Sequence, residues 1–284
     1  MHTAIHGVGK IKMNTKQNLH IHTNYTDGKD APEEIVMMAM ERGFASIGFS
    51  EHTYLKYSSY PRQLNFAKME QYKQEIKDLK VKYQNEIDIY CGLEYDFYSD
   101  VDTSGLDYVI GAVHYLDCER GILTFDRGLS ETLDYVKENF GGSGLSFAKK
   151  YFETVARLPE KGRIDIIGHF DLLAKNNEQG RFIDTSAKEY LDLGMQAIHD
   201  LKGKIDLFEI NTGAISRGYT AVPYPQMEFL KEFRRLGYGV VVTSDCHDKN
   251  HIDCFYDEAE QLLLAAGFTS KFILTANGFQ EVSL

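Results

Sequence analysis

The chain has 284 residues, with 31 Lys and Arg against 42 Asp and Glu, for a formal net charge of −11. A balance this acidic repels a polyanion, so nucleic-acid binding is not expected, and 43% hydrophobic with 12% aromatic residues excludes a disordered chain. No apolar run is long enough for a membrane span or a secretory leader, and the four cysteines, Cys91, Cys118, Cys246 and Cys254, form no CxxC pair and read as reduced thiols. The expectation is a soluble cytoplasmic protein.

Residues 1–17 lack periodicity and are expected to be a flexible tail, with a single domain over 18–284. From Asn18 onward, short runs rich in Val, Ile, Phe and Tyr alternate with helical patterns. Strands are expected at 18–23, 45–52, 87–97, 107–116, 165–173, 205–212 and 238–245. Helices are expected near 31–42, 66–83, 129–139, 146–158, 186–202, 225–236 and 256–266. The first helix has Asp30 as N-cap, Glu33 three residues on as in a capping box, and Gly43 at its end. Gly237 and Gly267 sit where helix C-caps want positive φ, and GGSG at 141–144 reads as a turn. Strand and helix in alternation imply parallel pairing through crossover helices. Seven such units predict an α/β fold closed, or nearly closed, into a barrel; a doubly wound open sheet is the runner-up.

Six of the ten histidines share one topological address. His20, His22, His52, His114, His169 and His247 fall in or at the carboxyl end of an expected strand, and in a parallel barrel those ends converge on one mouth. A lone histidine in a strand is ordinarily a hydrogen-bonded core residue. Packing does not explain six in the same place. His2, His6, His199 and His251 lack that address and carry no functional reading.

The period of two sharpens the pattern. His20 and His22 face the same side of a strand with Ile21 opposite. Asp245 and His247 do likewise if the last strand continues through them, which turns Cys246 away as a small buried hydrophobe rather than a nucleophile. Glu94 ends the third strand, and Asp27 lies in the NYTDG loop close enough to reach the mouth. One catalytic zinc takes about three protein ligands plus water, so nine candidates point to two or three metals, with Glu94 and Asp245 as bridging ligands. Imidazole and carboxylate without thiolate suit Zn²⁺, Mn²⁺ or Fe²⁺.

These residues carry a family resemblance. HIHTNYTDG at 20–28, FSEH at 49–52, GLE at 92–94, GAVHYL at 111–116, IGHFD at 167–171 and SDCH at 244–247 resemble the successive motifs of the PHP (polymerase and histidinol phosphatase) superfamily. Together with EINTGAISRG at 209–218 and PYP at 223–225, the arrangement is similar to its stand-alone histidinol-phosphate phosphatases. The resemblance implies a distorted TIM-like (β/α)7 barrel with a trinuclear metal site. By motif position, His20, His22, Glu94 and Asp245 would hold one metal; Glu94 would bridge to a second held by His114 and His169. Asp27, His52 and His247 would hold a third. The position of Asp27 is a histidine in some relatives, and SEH stands here where TDH is more usual, which assigns His52 as ligand with Glu51 supporting it.

The resemblance also implies the substrate class, L-histidinol phosphate, and metal chemistry then predicts attack by a metal-held hydroxide, with no protein nucleophile and no phosphoenzyme. Divalent cations would neutralise the ester dianion and clamp attacking and leaving oxygens in line. Arg217, Asn211 and Lys175 are the candidates for phosphate contacts, and Tyr54, Asp96 and Tyr98 lie near motif ends where an aminoalkyl imidazole could be read. Two alternatives stand beside this reading. One is a relative of the same superfamily acting on phosphotyrosine, a nucleotide or a sugar phosphate; the other is a binding module that holds metal structurally, although structural zinc sites are usually closed and rich in thiolate.

Overall fold

A computed structural model describes residues 14–56, 63–175, 177 and 182–284. In chain order its elements are β1 (Gln17–Asn18), α1 (Pro32–Glu41), β2 (Ser46–His52), α2 (Phe66–Lys82), β3 (Asp88–Asp96), β4 (Tyr108–Ala112), β5 (Tyr115–Cys118) and β6 (Gly121–Thr124). There follow α3 (Leu129–Phe140), α4 (Gly144–Val155), β7 (Ile166–Ile167), α5 (Lys188–Asp200), β8 (Leu207–Asn211) and the short α6 (Gly213–Ser216). The chain ends with α7 (Met227–Leu236), β9 (Gly239–Thr243), α8 (Tyr256–Ala265), β10 (Ser270–Thr275) and β11 (Gly278–Ser283).

The apolar runs form one seven-stranded sheet in the order β1-β2-β3-β4-β7-β8-β9, every pair parallel. Its two edges meet just beyond the strand ends. Ile21 bridges Cys246 in parallel, the His22 N–H donates to the Cys246 carbonyl at 2.8 Å, and the Cys246 N–H donates to the His20 carbonyl at 3.0 Å. The fold is thus the expected (β/α)7 barrel, nearly closed. Its distortion is visible in β1 and β7, which pair over only two residues each.

Tyr108 explains how the barrel is filled. Its ring is fully buried, and its hydroxyl donates to the carbonyls of Leu19 at 2.5 Å and Phe49 at 3.0 Å. Gly48 and Gly92 face it from β2 and β3; a Cβ on Gly92 would lie 2.4 Å from the Tyr108 Cζ, so only glycine leaves room for the ring. Leu19, Tyr90, Ile110, Ile166, Leu207 and Val241 complete this inner cluster. The antiparallel hairpin β10–β11 closes it from the amino-terminal end through Leu274, whose main chain exchanges hydrogen bonds with the Gln17 amide. Outside the sheet, Phe170, Phe208, Phe229 and Phe233 pack helix on strand, with Phe208 and Phe233 stacked at 3.9 Å. Each such aromatic pair contributes about 0.5–1.5 kcal/mol beyond its area.

The expected helices are present within a few residues of their bounds, and Gly237 and Gly267 take φ of 76° and 91° at the helix ends. The turn at 141–144 is also present, with Gly141 and Gly142 at positive φ. The cap of α1 differs: Ala31 is the N-cap, Pro32 takes the first helical position, and the Glu34 carboxylate, not that of Glu33, accepts the Ala31 N–H at 3.0 Å. Asp30 instead accepts the Lys249 N–H at 2.8 Å, which ties the start of α1 to the loop after β9.

Two hairpins escaped the reading by periodicity. β5–β6 lies partly inside the run taken as one strand, because the chain turns at His114 while staying apolar. The β10–β11 stretch alternates too weakly to stand out. Most of the expected tail, including His2 and His6, lies outside the described residues. Its last part contacts the barrel: Asn14 donates to the Gly43 carbonyl at 2.8 Å, Lys16 pairs with Asp253 at 2.8 Å, and Gln17 opens β1.

Candidate metal centre

The carboxyl ends of the strands deliver the candidate residues to one crater. His20 and His22 follow β1, His52 ends β2, Glu94 lies near the end of β3, His114 follows β4, and His169 follows β7. The last pair arrives differently from the expectation. β9 stops at Thr243, and Asp245 takes φ of 47°, a left-handed conformation that an aspartate tolerates better than most residues. That turn, rather than a continued strand, presents Asp245 and His247 together. It also buries Cys246, whose thiol donates to the Asp248 carbonyl and is pushed up to about 12 by burial, so no thiolate is on offer.

Glu94 sits at the middle. Its Oε1 faces His169 Nε2 at 2.7 Å, His114 Nε2 at 3.2 Å and His20 Nε2 at 3.5 Å; its Oε2 faces His52 Nδ1 at 2.7 Å and His22 Nε2 at 3.5 Å. Asp27 lies 3.3 Å from both His52 and His247. Asp245 Oδ1 lies 3.3 Å from His22 and 3.5 Å from His247, while its Oδ2 accepts from Arg217 at 2.9 Å. Donors sharing one tetrahedral ion at about 2.1 Å stand roughly 3.4 Å apart. Most of these separations have that value and are too long for good hydrogen bonds.

Unsatisfied atoms agree with this fit. His20 Nε2, both nitrogens of His22, Asp27 Oδ1 and Glu94 Oε2 are buried without a hydrogen-bond partner, which is costly for polar groups unless something else engages them. Burial, together with the neighbouring His52 and His247, lowers the His22 imidazole to about 3, leaving it neutral with a free lone pair. Burial alone would raise Glu94; the rings of His114, His52 and His20 outweigh it and hold the carboxyl well below its usual range.

Donor atoms within reach of one another fall into four groups: His22 with Asp27, His52 and His247; His20 with Glu94 and His169; His20 with His22 and Asp245; and His52 with Glu94 and His114. All nine expected residues are therefore brought together. The partition differs in detail from the one the motifs implied, because His22 stacks between His52 at 4.3 Å and His247 at 4.4 Å and borders two groups. Glu51, behind His52, is fully buried and accepts hydrogen bonds from the Thr23 main chain at 2.8 Å and from the Thr23 and Thr26 hydroxyls, pinning the loop that carries Asp27.

Above the cluster opens a cavity of about 510 Å³, lined by seven of the nine residues and by Arg217 and Lys175. Arg217 donates to the Asp245 carbonyl at 2.9 Å as well as to its carboxylate. Lys175 pairs with Asp126 at 2.6 Å and lies over the Tyr219 ring. Asn211 is not at the cavity: it is fully buried, donates to Glu209 at 2.9 Å and accepts the Gly213 N–H at 2.9 Å, so its amide is engaged within the barrel wall. Asp96 lines the cavity, but Tyr54 and Tyr98 do not. Sequence reasoning missed Asp126 and Glu131, which line the cavity from beyond the unrecognised β5–β6 hairpin. It also missed Glu209. The available signal there was an acid inside LFEIN, an otherwise buried apolar strand.

The comparisons with known proteins agree with this geometry. A family model described as PHP domain matches residues 18–213, more than half of the chain. A Schizosaccharomyces pombe protein named "Probable histidinol-phosphatase" is 26% identical over 256 residues, 84% of this chain and 82% of that one. The histidinol-phosphatase of Bacillus subtilis is 26% identical over 276 residues, covering 85% of this chain and 97% of the relative. The crystal structure of histidinol phosphate phosphatase from Lactococcus lactis, complexed with zinc, L-histidinol and phosphate, is similar in fold with a TM-score of 0.69 at 22% identity, over 94% of this chain and 99% of that one. With the family model matched over residues 18–213, which carry seven of the nine candidate ligands, the chain belongs to the PHP domain family.

Proposed function

We propose that this protein is a metal-dependent phosphomonoesterase that hydrolyses L-histidinol phosphate to L-histidinol and inorganic phosphate, a cytoplasmic step of histidine biosynthesis. The observation that carries the reading is the convergence of imidazole and carboxylate donors around Glu94, Asp27 and Asp245, most of them 3.2–3.5 Å apart, with several of their buried atoms lacking a hydrogen-bond partner. Support for the substrate comes from the names of relatives that align over most of the chain.

Bound there, two or three divalent ions, with Zn²⁺, Mn²⁺ and Fe²⁺ all suited to these donors, would offset the charge of the ester dianion and acidify the attacking water. His20, His22, Glu94 and Asp245 are assigned to one ion, Glu94, His114 and His169 to a second, and Asp27, His52 and His247 to a third, with Glu94 and Asp245 shared. Arg217 lines the cavity beside Asp245 and His247, where it would add fixed positive charge to developing negative oxygens. Lys175 lies at the same cavity, with Asp126 setting its position. The acidic Asp126 and Glu131 with the aromatic Tyr115 and Tyr219 suit a cationic, ring-bearing leaving group.

Release of inorganic phosphate from a panel of esters tests the reading. Activity on histidinol phosphate is expected far above that on p-nitrophenyl phosphate, phosphotyrosine, nucleotides or sugar phosphates. Equal slow rates across the panel would replace it with a broader phosphatase, and no release by the metal-supplemented protein would replace it with a structural metal site.

A further inference from the structure

β8 sends no candidate ligand into the crater, yet its central side chain is a carboxylate. Glu209 is fully buried, one layer beneath the donor cluster. Four groups donate to it. Its Oε1 accepts from His20 Nδ1 at 2.5 Å and from the Thr243 hydroxyl at 2.6 Å, and its Oε2 accepts the His169 main-chain N–H at 2.7 Å and the Asn211 amide at 2.9 Å. Each oxygen thus takes two hydrogen bonds, about the full capacity of a carboxylate. Glu209 has nothing left with which to reach an ion itself.

The donors arrive from β1, β7, β8 and β9, so one side chain ties together four parts of the barrel wall. Two of the four donors, His20 and His169, are themselves candidate ligands. The bond to His20 places the ring proton on Nδ1 and leaves Nε2, which has no hydrogen-bond partner, aimed at Glu94 and Asp245. The bond to His169 acts on the main chain and seats its ring against Glu94 at 2.7 Å. His20, His169 and Glu94 are also one of the groups whose donor atoms lie within reach of one another.

We propose that Glu209 is the positioning residue of the metal centre: it sets the tautomer of His20 through the ring, leaving His20 Nε2 without a hydrogen-bond partner beside Glu94, and it sets the seat of His169 through the backbone, turning that ring onto the same carboxylate. The proposal rests on the metal-dependent reading above. A carboxylate that donates to nothing is needed here because all four neighbours donate. An amide in its place must turn its NH₂ toward either His20 or the His169 N–H. The first choice moves the His20 proton to Nε2, the ligating atom; the second opposes two donors. Outer partners of ligating histidines typically change metal affinity 10–100-fold when altered.

The test compares the full-length protein with Glu209→Gln, using Zn²⁺ alone as probe in competition with a chromophoric chelator, and follows the His20 ring by ¹⁵N NMR. The folded variant is expected to lose 10–100-fold in affinity for one class of Zn²⁺ while the class held by Asp27, His52 and His247 is unchanged, and to show an altered His20 ring signal. A folded variant with unchanged affinities and an unchanged His20 signal would overturn the proposal while leaving the functional reading intact. If the variant does not fold, the wild type decides: a Zn²⁺-loaded His20 protonated on Nδ1 is expected, and one protonated on Nε2 overturns the proposal. A wild type that takes up no Zn²⁺ overturns both this proposal and the reading beneath it.

Discussion

Glu94 is the residue on which the crater turns. Five imidazoles stand within 3.5 Å of its two oxygens, and they come from the ends of β1, β2, β4 and β7. Replacing it with Gln keeps the shape but removes the charge and half of the acceptor capacity, leaving buried rings that repel one another. Glu94→Gln is expected to lose bound metal and phosphatase activity together, by more than the 10–100-fold typical of a residue that only supports a ligand. Elemental analysis paired with phosphate release checks this; a variant that kept both would contradict the central role given to Glu94. Arg217 shows the other kind of residue-level dependence. Sequence placed it in the right loop, but its hold on Asp245 and His247 follows only from where α6 ends.

At the level of elements, the strands serve two ends at once. Along β3, Gly92 and Glu94 lie on the same face, and the inner face of the barrel changes within two residues from packed core to charged crater. Gly92 is required by the Tyr108 ring, since the nearest ring atoms would lie 2.4–2.6 Å from an added Cβ. Neither the ring nor the strand can yield, because the Tyr108 hydroxyl is tied to two carbonyls. Gly92→Ala is therefore expected to destabilise the protein by about 1–3 kcal/mol, seen as a lowered urea midpoint with an unchanged slope. A neutral result would mean that the barrel interior is looser than these contacts imply. The β5–β6 hairpin works in the opposite sense: it interrupts the barrel rhythm and brings Asp126 and Glu131 over the crater rather than strengthening the core.

For the whole molecule, closure of the barrel gathers buried Glu94 and Asp245 and half-buried Asp27 into one densely charged crater within a chain of net charge −11. Cations bound there stabilise the folded state by mass action, by about 2.7 kcal/mol at a free concentration one hundred times Kd. Their removal also leaves the carboxylates with less compensation. A strong chelator is expected to lower the Tm, and added Zn²⁺ or Mn²⁺ to restore it; an unchanged Tm after verified metal removal would show that the fold does not depend on the filled crater.

Much of this was open to a reader of the sequence. Alternating strands and helices imply parallel pairing, and six histidines at strand ends imply convergence, because side-chain period and crossover handedness are properties of short stretches of chain. His20, His22, Asp27, His52, Glu94, His114, His169, Asp245 and His247 were all legible on that basis. Tertiary structure alone decided how they share their neighbours. That His22 lies between His52 and His247, that Asn211 belongs to Glu209 rather than to substrate, and that Glu209 gathers donors from four strands all depend on distances between residues far apart in the chain. Those distances follow from how the barrel closes around Tyr108 and turns at Asp245, and no local pattern encodes them.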